Sequence, residues 1–274
     1  MWLWTLIFLP LLAYALLLSA IYLGQTRLLF PAHAVGPAGP TPGNGQRIVL
    51  DGPVHRLHGI HLRSPANWTD DPLILVFGGN AWNAESAAAY VQDLFPGSDV
   101  VAFHYRGYAP SGGVSGARAL QEDAILIHDW GKETLPDHKI IAVGFSIGSG
   151  VASHLAAQRP IDGAILVTPF DSLGAVAGEH YPWLPVRWLF RHPMDPAEEL
   201  SRSEVPIALL IAGRDRLIPP ARAEALAKAG PNVVFSRTIA GAGHNEIYDQ
   251  NEFRIAIRAA MRTLEASRQT FSTD

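Results

Sequence analysis

Four short, nearly continuous apolar runs constrain the fold of this chain more than any other feature. They are LILVF (73–77), KIIAV (139–143), GAILV (163–167) and PIALLIAG (206–213). Runs of this length without polar alternation are typical of strands that are covered on both faces. Segments with helical periodicity separate them, and strands that alternate with helices form βαβ crossovers in a mainly parallel sheet. The sequence therefore predicts an α/β fold with helices on both faces of the sheet.

The remaining predicted elements complete this pattern. RIVL (47–50) and RLHGIHL (56–62) alternate as antiparallel strands do, and a turn at 51–53 joins them. Two further strands are predicted, DVVAFH (99–104) and VVFSRTIA (233–240). The predicted helices cover residues 84–95, 115–133, 221–230 and 252–266, and another helix ends near residue 158.

Residues 173–203 interrupt the alternation between two buried strands. They contain HYPWLPVRWLFRHPMD, which is dense in aromatic residues and prolines. The prediction is a small cap inserted over the carboxyl end of the sheet. The alternative is a loop that its tryptophans pack against the core.

The first 23 residues contain no charged side chain. At about 1.5 Å per helical residue they would span about 34 Å, enough to cross the core of a bilayer. Trp2 and Tyr22 near the ends are of the kind found at membrane interfaces. Because the stretch lacks the basic start and the cleavage site of a signal peptide, we expect an uncleaved, single-pass membrane anchor. Arg27 alone favours a cytoplasmic domain, so the side of the membrane stays open.

The predicted domain organisation has three parts: an anchor at 1–23, a linker rich in proline and glycine at 24–45, and one α/β domain at 46–268. Hydrophobic residues make up 48% of the chain and charged residues 17%, which suits a domain with a sizeable core. The net charge of −4 gives no support for nucleic-acid binding. The chain has no cysteine, which excludes disulfides, thiolate metal sites and cysteine nucleophiles.

The stretch GFSIGSG (144–150) lies where a buried strand must turn sharply into a helix. Its first five residues fit the pattern G-x-S-x-G, in which a strained turn exposes a serine hydroxyl above the sheet. Glycines are also common at ordinary turns, and the serine could simply cap the helix. Ser146 is therefore a candidate nucleophile only if the chain supplies a base, an acid and an oxyanion site.

Two other strand ends supply the first two of these groups. Enzymes with this turn carry nucleophile, acid and histidine in that order along the chain. Asp215 follows the strand at 206–213, and His244 follows the strand at 233–240. Both would lie at the carboxyl edge of the sheet, where open α/β sheets collect catalytic groups. Asp171, which follows the strand at 163–167, is the alternative acid.

An oxyanion site needs backbone N–H groups that point at the developing negative charge. One is expected from Ile147, directly after the serine and at a helix N-terminus. The other is expected from the loop GGNAWN (78–83), with Asn80 as the donor and its neighbour Ala81 as the alternative. We call this segment the oxyanion loop.

On these residues the chain resembles the α/β-hydrolase-fold serine hydrolases, in particular their membrane-anchored, serine aminopeptidase-like branch. The resemblance covers about residues 25–265. It rests on RLLFPA, DGPVHRLHGIHL, FGGNAWN, YRGYAPSGG, GFSIGSG, TPFDS, AGRDRLIPP and GAGHNE. It implies the same three roles for Ser146, Asp215 and His244. One departure is Gly78, where the branch commonly has a histidine that braces the oxyanion loop.

The expected activity is hydrolysis of an ester, thioester or amide through an acyl-enzyme on Ser146. The anchor and the aromatic cap suggest a lipophilic acyl substrate, small molecule or lipid, and a peptidase is less favoured. No metal or organic cofactor is implied, and the oligomeric state is open. An aspartate in place of Ser146 would indicate a dehalogenase or an epoxide hydrolase, so the serine argues against both. The alternative function is a membrane-tethered, catalytically silent protein that binds a partner or ligand.

Overall fold

The computed structural model describes residues 2–36, 38–52, 55–65, 71–230 and 232–271. Within these ranges eight strands form one sheet: β1 (Gly45–Asp51), β2 (Arg56–Leu62), β3 (Leu73–Phe77), β4 (Asp99–Phe103), β5 (Ile140–Phe145), β6 (Gly163–Val167), β7 (Ile207–Ala212) and β8 (Val233–Ile239). Their order is β1-β2-β4-β3-β5-β6-β7-β8. The β1–β2 and β2–β4 pairs are antiparallel, and every other pair is parallel. The mainly parallel sheet predicted from the sequence is therefore confirmed.

Helices precede, connect and follow the strands, and those predicted at 84–95, 115–133, 221–230 and 252–266, and up to about residue 158, are confirmed. They are α1 (Trp2–Leu29), α2 (Ala84–Leu94), α3 (Ala117–Thr134), α4 (Ile147–Gln158), α5 (Leu173–His180), α6 (Val186–Leu189), α7 (Pro196–Leu200), α8 (Pro220–Ala229) and α9 (Asn251–Phe271). Met1, Pro37 and Pro53, which belong to the predicted anchor, linker and turn, lie outside the described residues.

The central strands β3, β5, β6 and β7 are buried on both faces, which explains their apolar runs. In β3, Leu73, Leu75 and Phe77 point into one core, and Ile74 and Val76 point into the other. Side chains of α3, α4 and α8 fill the first core, and side chains of α2 and α9 fill the second. Because successive side chains of a strand face opposite sides, both positions of the repeat must be apolar.

The parallel strands bring their carboxyl ends to one edge of the sheet. β5 ends directly before Ser146, β7 ends three residues before Asp215, and β8 ends five residues before His244. The fold thus places the three predicted catalytic residues at the same edge.

The predicted cap lies between β6 and β7 and consists of the short helices α5, α6 and α7. Phe170 and Met194 at its base are fully buried, whereas Trp183 and Trp188 are largely exposed. The two tryptophans therefore do not hold the segment against the core, contrary to the alternative interpretation from the sequence.

The first helix is longer than the predicted anchor. It continues beyond residue 23 to Leu29, and the following Phe30 is buried in the core beneath α3 and α4. Pro10 lies within the helix without ending it. Near the other end, the side chain of Gln25 bonds to backbone groups of the cap. Residues 24–29 of the predicted linker are therefore helical, and Gln25 among them is buried. The segment Leu6–Leu29 is long and apolar enough to cross a membrane.

Candidate active site

The turn between β5 and α4 holds Ser146 in a strained backbone conformation. Its φ is 52° and its ψ is −119°, a left-handed region that costs a non-glycine residue about 1–3 kcal/mol. The flanking glycines make the turn possible. A Cβ atom on Gly144 would lie 2.3 Å from the carbonyl oxygen of Gly148, and one on Gly148 would lie 2.0 Å from that of Phe77. Both positions therefore require glycine.

Ser146, His244 and Asp215 form a continuous line of contacts. His244 Nε2 lies 3.0 Å from Ser146 Oγ, and His244 Nδ1 lies 2.6 Å from Asp215 Oδ2. The imidazole thus bridges the hydroxyl and the carboxylate, one ring nitrogen to each. This is the geometry that lets a histidine take a serine proton while a carboxylate fixes its tautomer.

The Asp215 carboxylate is held on both oxygens. Its Oδ1 accepts hydrogen bonds from the backbone N–H groups of Leu217 and Ile218, both at 2.8 Å, and its Oδ2 faces the histidine. The side chain is 2% exposed, so this orientation is enforced by the surrounding protein. The alternative acid, Asp171, instead pairs with Arg222 at 3.3 Å.

A cluster of aromatic side chains packs beside the turn that carries Ser146. The ring of Phe145, next to the serine, lies 5.1 Å from that of Trp82 and 5.8 Å from that of Tyr248. Burial, together with the negative charge of Asp215, raises the pKa of Tyr248 to about 12. Tyr248 therefore stays neutral beside the carboxylate at physiological pH.

The two predicted oxyanion donors lie on adjoining elements. Ile147 is the first residue of α4, where N–H groups lack a partner within the helix. Asn80 follows β3, whose last carbonyl touches α4 at Gly148. Within the described chain, neither the N–H of Ile147 nor that of Asn80 donates to another protein group.

Two tyrosines hold the oxyanion loop through its carbonyl oxygens. Tyr105 Oη donates to Gly78 O at 2.7 Å, and Tyr108 Oη donates to Asn80 O at 2.9 Å. Both side chains are buried, and burial raises the pKa of each hydroxyl above its usual value. They therefore remain protonated donors. Both tyrosines belong to the segment YRGYAPSGG, which carried part of the family resemblance. Nothing in that segment indicated that they would donate to carbonyl oxygens of the oxyanion loop.

The oxyanion loop also contacts the end of the first helix. Asn80 Nδ2 donates to Leu29 O at 3.2 Å. Side-chain hydrogen bonds from Tyr105, Tyr108 and Asn80 thus fix a loop that lacks the histidine expected at Gly78. No local sequence pattern indicated the contact with Leu29.

Comparison with known proteins identifies the family. A model of the alpha/beta hydrolase fold matches residues 71–186. An uncharacterized protein of Mycobacterium tuberculosis is 33% identical over 192 residues, which are 68% of this chain and 68% of that protein. The lysophosphatidylserine lipase ABHD12 of Rattus norvegicus is 28% identical over 174 residues, 55% of this chain and 43% of the lipase.

Solved structures agree on the fold. An esterase of Pyrococcus furiosus has a TM-score of 0.66 at 18% identity, covering 84% of this chain and 97% of its own. Est1E of Butyrivibrio proteoclasticus, solved with ferulic acid bound, has a TM-score of 0.63 at 15% identity, covering 82% of this chain and 99% of its own. At such identities the likeness shows the fold alone. The mycobacterial relative and the family model together show that the chain belongs to the α/β-hydrolase family.

Proposed function

We propose that the protein is a serine hydrolase that cleaves carboxylic esters or thioesters with a lipophilic acyl group. The observation that carries the proposal is the unbroken line of contacts from Ser146 Oγ through His244 to Asp215. Membership of a hydrolase family supports the reaction class. Mutual placement of a nucleophile, a base and an orienting acid at one strand edge is the arrangement that nucleophilic catalysis requires.

In this mechanism Ser146 Oγ attacks the substrate carbonyl carbon while His244 Nε2 takes the hydroxyl proton. The carbonyl oxygen becomes an oxyanion, which the N–H groups of Ile147 and Asn80 stabilise. His244 then gives its proton to the departing oxygen or sulfur, leaving an acyl group on the serine. A water molecule attacks the acyl-enzyme by the same route, with His244 again as base. Asp215 stabilises the imidazolium that forms in both halves.

The lipophilic substrate is inferred from the surroundings of the site. The similar lysophosphatidylserine lipase acts on a lipid by its name, which favours lipid esters over peptides. A helix of membrane-spanning length precedes the domain, and we propose that it is a single-pass anchor. The cap exposes large apolar side chains next to that helix.

A fluorophosphonate probe tests the nucleophile directly, because it reacts only with a serine that a base has activated. We expect the full chain in detergent to be labelled, and Ser146→Ala and His244→Ala to lose labelling. Ser153→Ala, in the same helix α4, and His33→Ala, an exposed residue, are matched controls that should label like the wild type. The readout is in-gel fluorescence.

A folded wild-type chain that stays unlabelled would refute the activated serine and favour the catalytically silent binding protein. Folding is checked independently by near-UV circular dichroism.

Hydrolysis of a p-nitrophenyl ester distinguishes the two candidate acids. We expect Asp215→Asn to lower kcat by about 10³–10⁴, because the amide would hold His244 in the wrong tautomer. Asp171→Asn should retain most of the activity, since its carboxylate pairs with Arg222. A larger loss in Asp171→Asn than in Asp215→Asn would reverse the assignment of the acid.

The two tyrosines are proposed as positioning residues of the oxyanion loop. Tyr105→Phe and Tyr108→Phe each remove one hydrogen bond worth about 0.5–1.5 kcal/mol, so kcat should fall by about twofold to tenfold while KM changes little. Tyr181→Phe, with its exposed side chain, is the control. A merely structural role would lower the melting temperature and leave the kcat of the folded enzyme unchanged.

A further inference from the structure

The first helix and the cap are joined along several turns. Within residues 6–29, the side of α1 that carries Leu18, Ile21, Gln25 and Leu29 is partly or fully buried, whereas most other residues are exposed. Gln25 Nε2 donates to Leu189 O at 3.0 Å, and the N–H of Arg191 donates to Gln25 Oε1 at 2.9 Å. The cap is thus fastened to the polar end of the helix.

A second contact lies much farther along the helix. Tyr14 Oη donates to Trp183 O at 2.9 Å. Tyr14 precedes Gln25 by eleven residues, which is about 16 Å along a helix at about 1.5 Å per residue. A bilayer core is about 30 Å thick. With Gln25, at the polar end of α1, placed at the membrane surface, Trp183 lies about halfway through the apolar core of the bilayer.

The backbone of residues 181–190, the cap tip, suits this depth. A bilayer tolerates irregular backbone only where its polar groups are satisfied within the protein. The tip contains two residues without an N–H, Pro182 and Pro185. Of the other eight N–H groups, six donate to nearby carbonyls: those of Tyr181, Leu184, Val186, Trp188, Leu189 and Phe190. The N–H groups of Trp183 and Arg187 have no partner among the described residues. The Tyr14 hydroxyl satisfies the carbonyl of Trp183.

The side chains of the cap tip are almost all apolar. Tyr181, Trp183 and Trp188 are 51%, 53% and 77% exposed, an unusual density of large apolar groups for a surface in water. Arg187 is the one charged residue of the tip, and its guanidinium lies 5.1 Å from the ring centre of Trp188. Arg191, just beyond the tip, lies over Tyr22 near the polar end of the helix, where a cation can meet lipid phosphates.

We propose that the cap tip is embedded in the apolar layer of a phospholipid bilayer beside α1. The inference rests on the proposed anchor and deepens the proposed function. His180, which precedes the tip, lies with its Nε2 2.7 Å from Leu217 O in the loop that carries Asp215. Leu217 itself is 55% exposed. The base of the tip therefore contacts the loop that carries the proposed acid, and in this proposal the substrate is a lipid taken from the bilayer rather than from water.

Spin labels can test the depth of the tip, because the chain has no native cysteine. The single-cysteine variants are Trp183→Cys and Trp188→Cys in the tip, Leu16→Cys in the anchor and Ile255→Cys on the exposed side of α9. The full chain is reconstituted into phosphatidylcholine vesicles containing phosphatidylglycerol. Collision of each label with oxygen, which concentrates in lipid, is compared with collision with a water-soluble nickel chelate.

We expect the oxygen-to-nickel ratio at both tip positions to approach that of Leu16→Cys and to exceed that of Ile255→Cys severalfold. Tip labels that resemble Ile255→Cys, while the Leu16→Cys label is in lipid, would overturn the embedded tip and leave the anchor intact. If the Leu16→Cys label is also in water, the proposal that α1 is a membrane anchor is refuted as well. Tip labels shielded from both reagents would place a protein surface there, such as a second copy, and would also overturn the proposal.

Each labelled variant is first checked for folding by near-UV circular dichroism, which does not depend on activity. A tip variant that fails this check is replaced by Tyr181→Cys.

Discussion

The close approach of α4 to the end of β3 is the contact on which the site depends. Gly148 lies so near Phe77 that even a methyl group would overlap its carbonyl oxygen. This approach sets the oxyanion loop against the turn that carries Ser146, and it forces the serine into its left-handed conformation. The packing of the sheet and helices around Ser146 therefore offsets its backbone strain, and this packing requires glycine at positions 144 and 148.

Much of the fold could be predicted because its causes are local. Strands covered on both faces must be apolar at every position, so β3, β5, β6 and β7 were recognisable without any other information. Parallel strands end at one edge, so residues after three of them were expected to converge, and Ser146, His244 and Asp215 do lie in contact. The contacts of the oxyanion loop were not foreseeable, because Tyr105, Tyr108 and Leu29 reach it from distant parts of the chain.

The first helix differs from its prediction for a related reason. Composition identified the uncharged residues 1–23, but the helix continues because Gln25 finds backbone partners in the cap, more than 160 residues away. Its last carbonyl then holds the side chain of Asn80. Hydrogen bonds thus link the first helix both to the cap and to the oxyanion loop. The helix that we propose as a membrane anchor therefore also holds Asn80, the residue proposed to stabilise the oxyanion.

The proposed function requires that Ser146 carry the acyl group during turnover. The most direct measurement is a rapid-quench reaction with a p-nitrophenyl ester of a medium-length fatty acid, followed by peptide mapping of the acid-quenched protein. We expect a burst of about one nitrophenol per chain and an acyl adduct on the peptide that contains Ser146. Turnover without an adduct at Ser146, or an adduct on another residue, would contradict it.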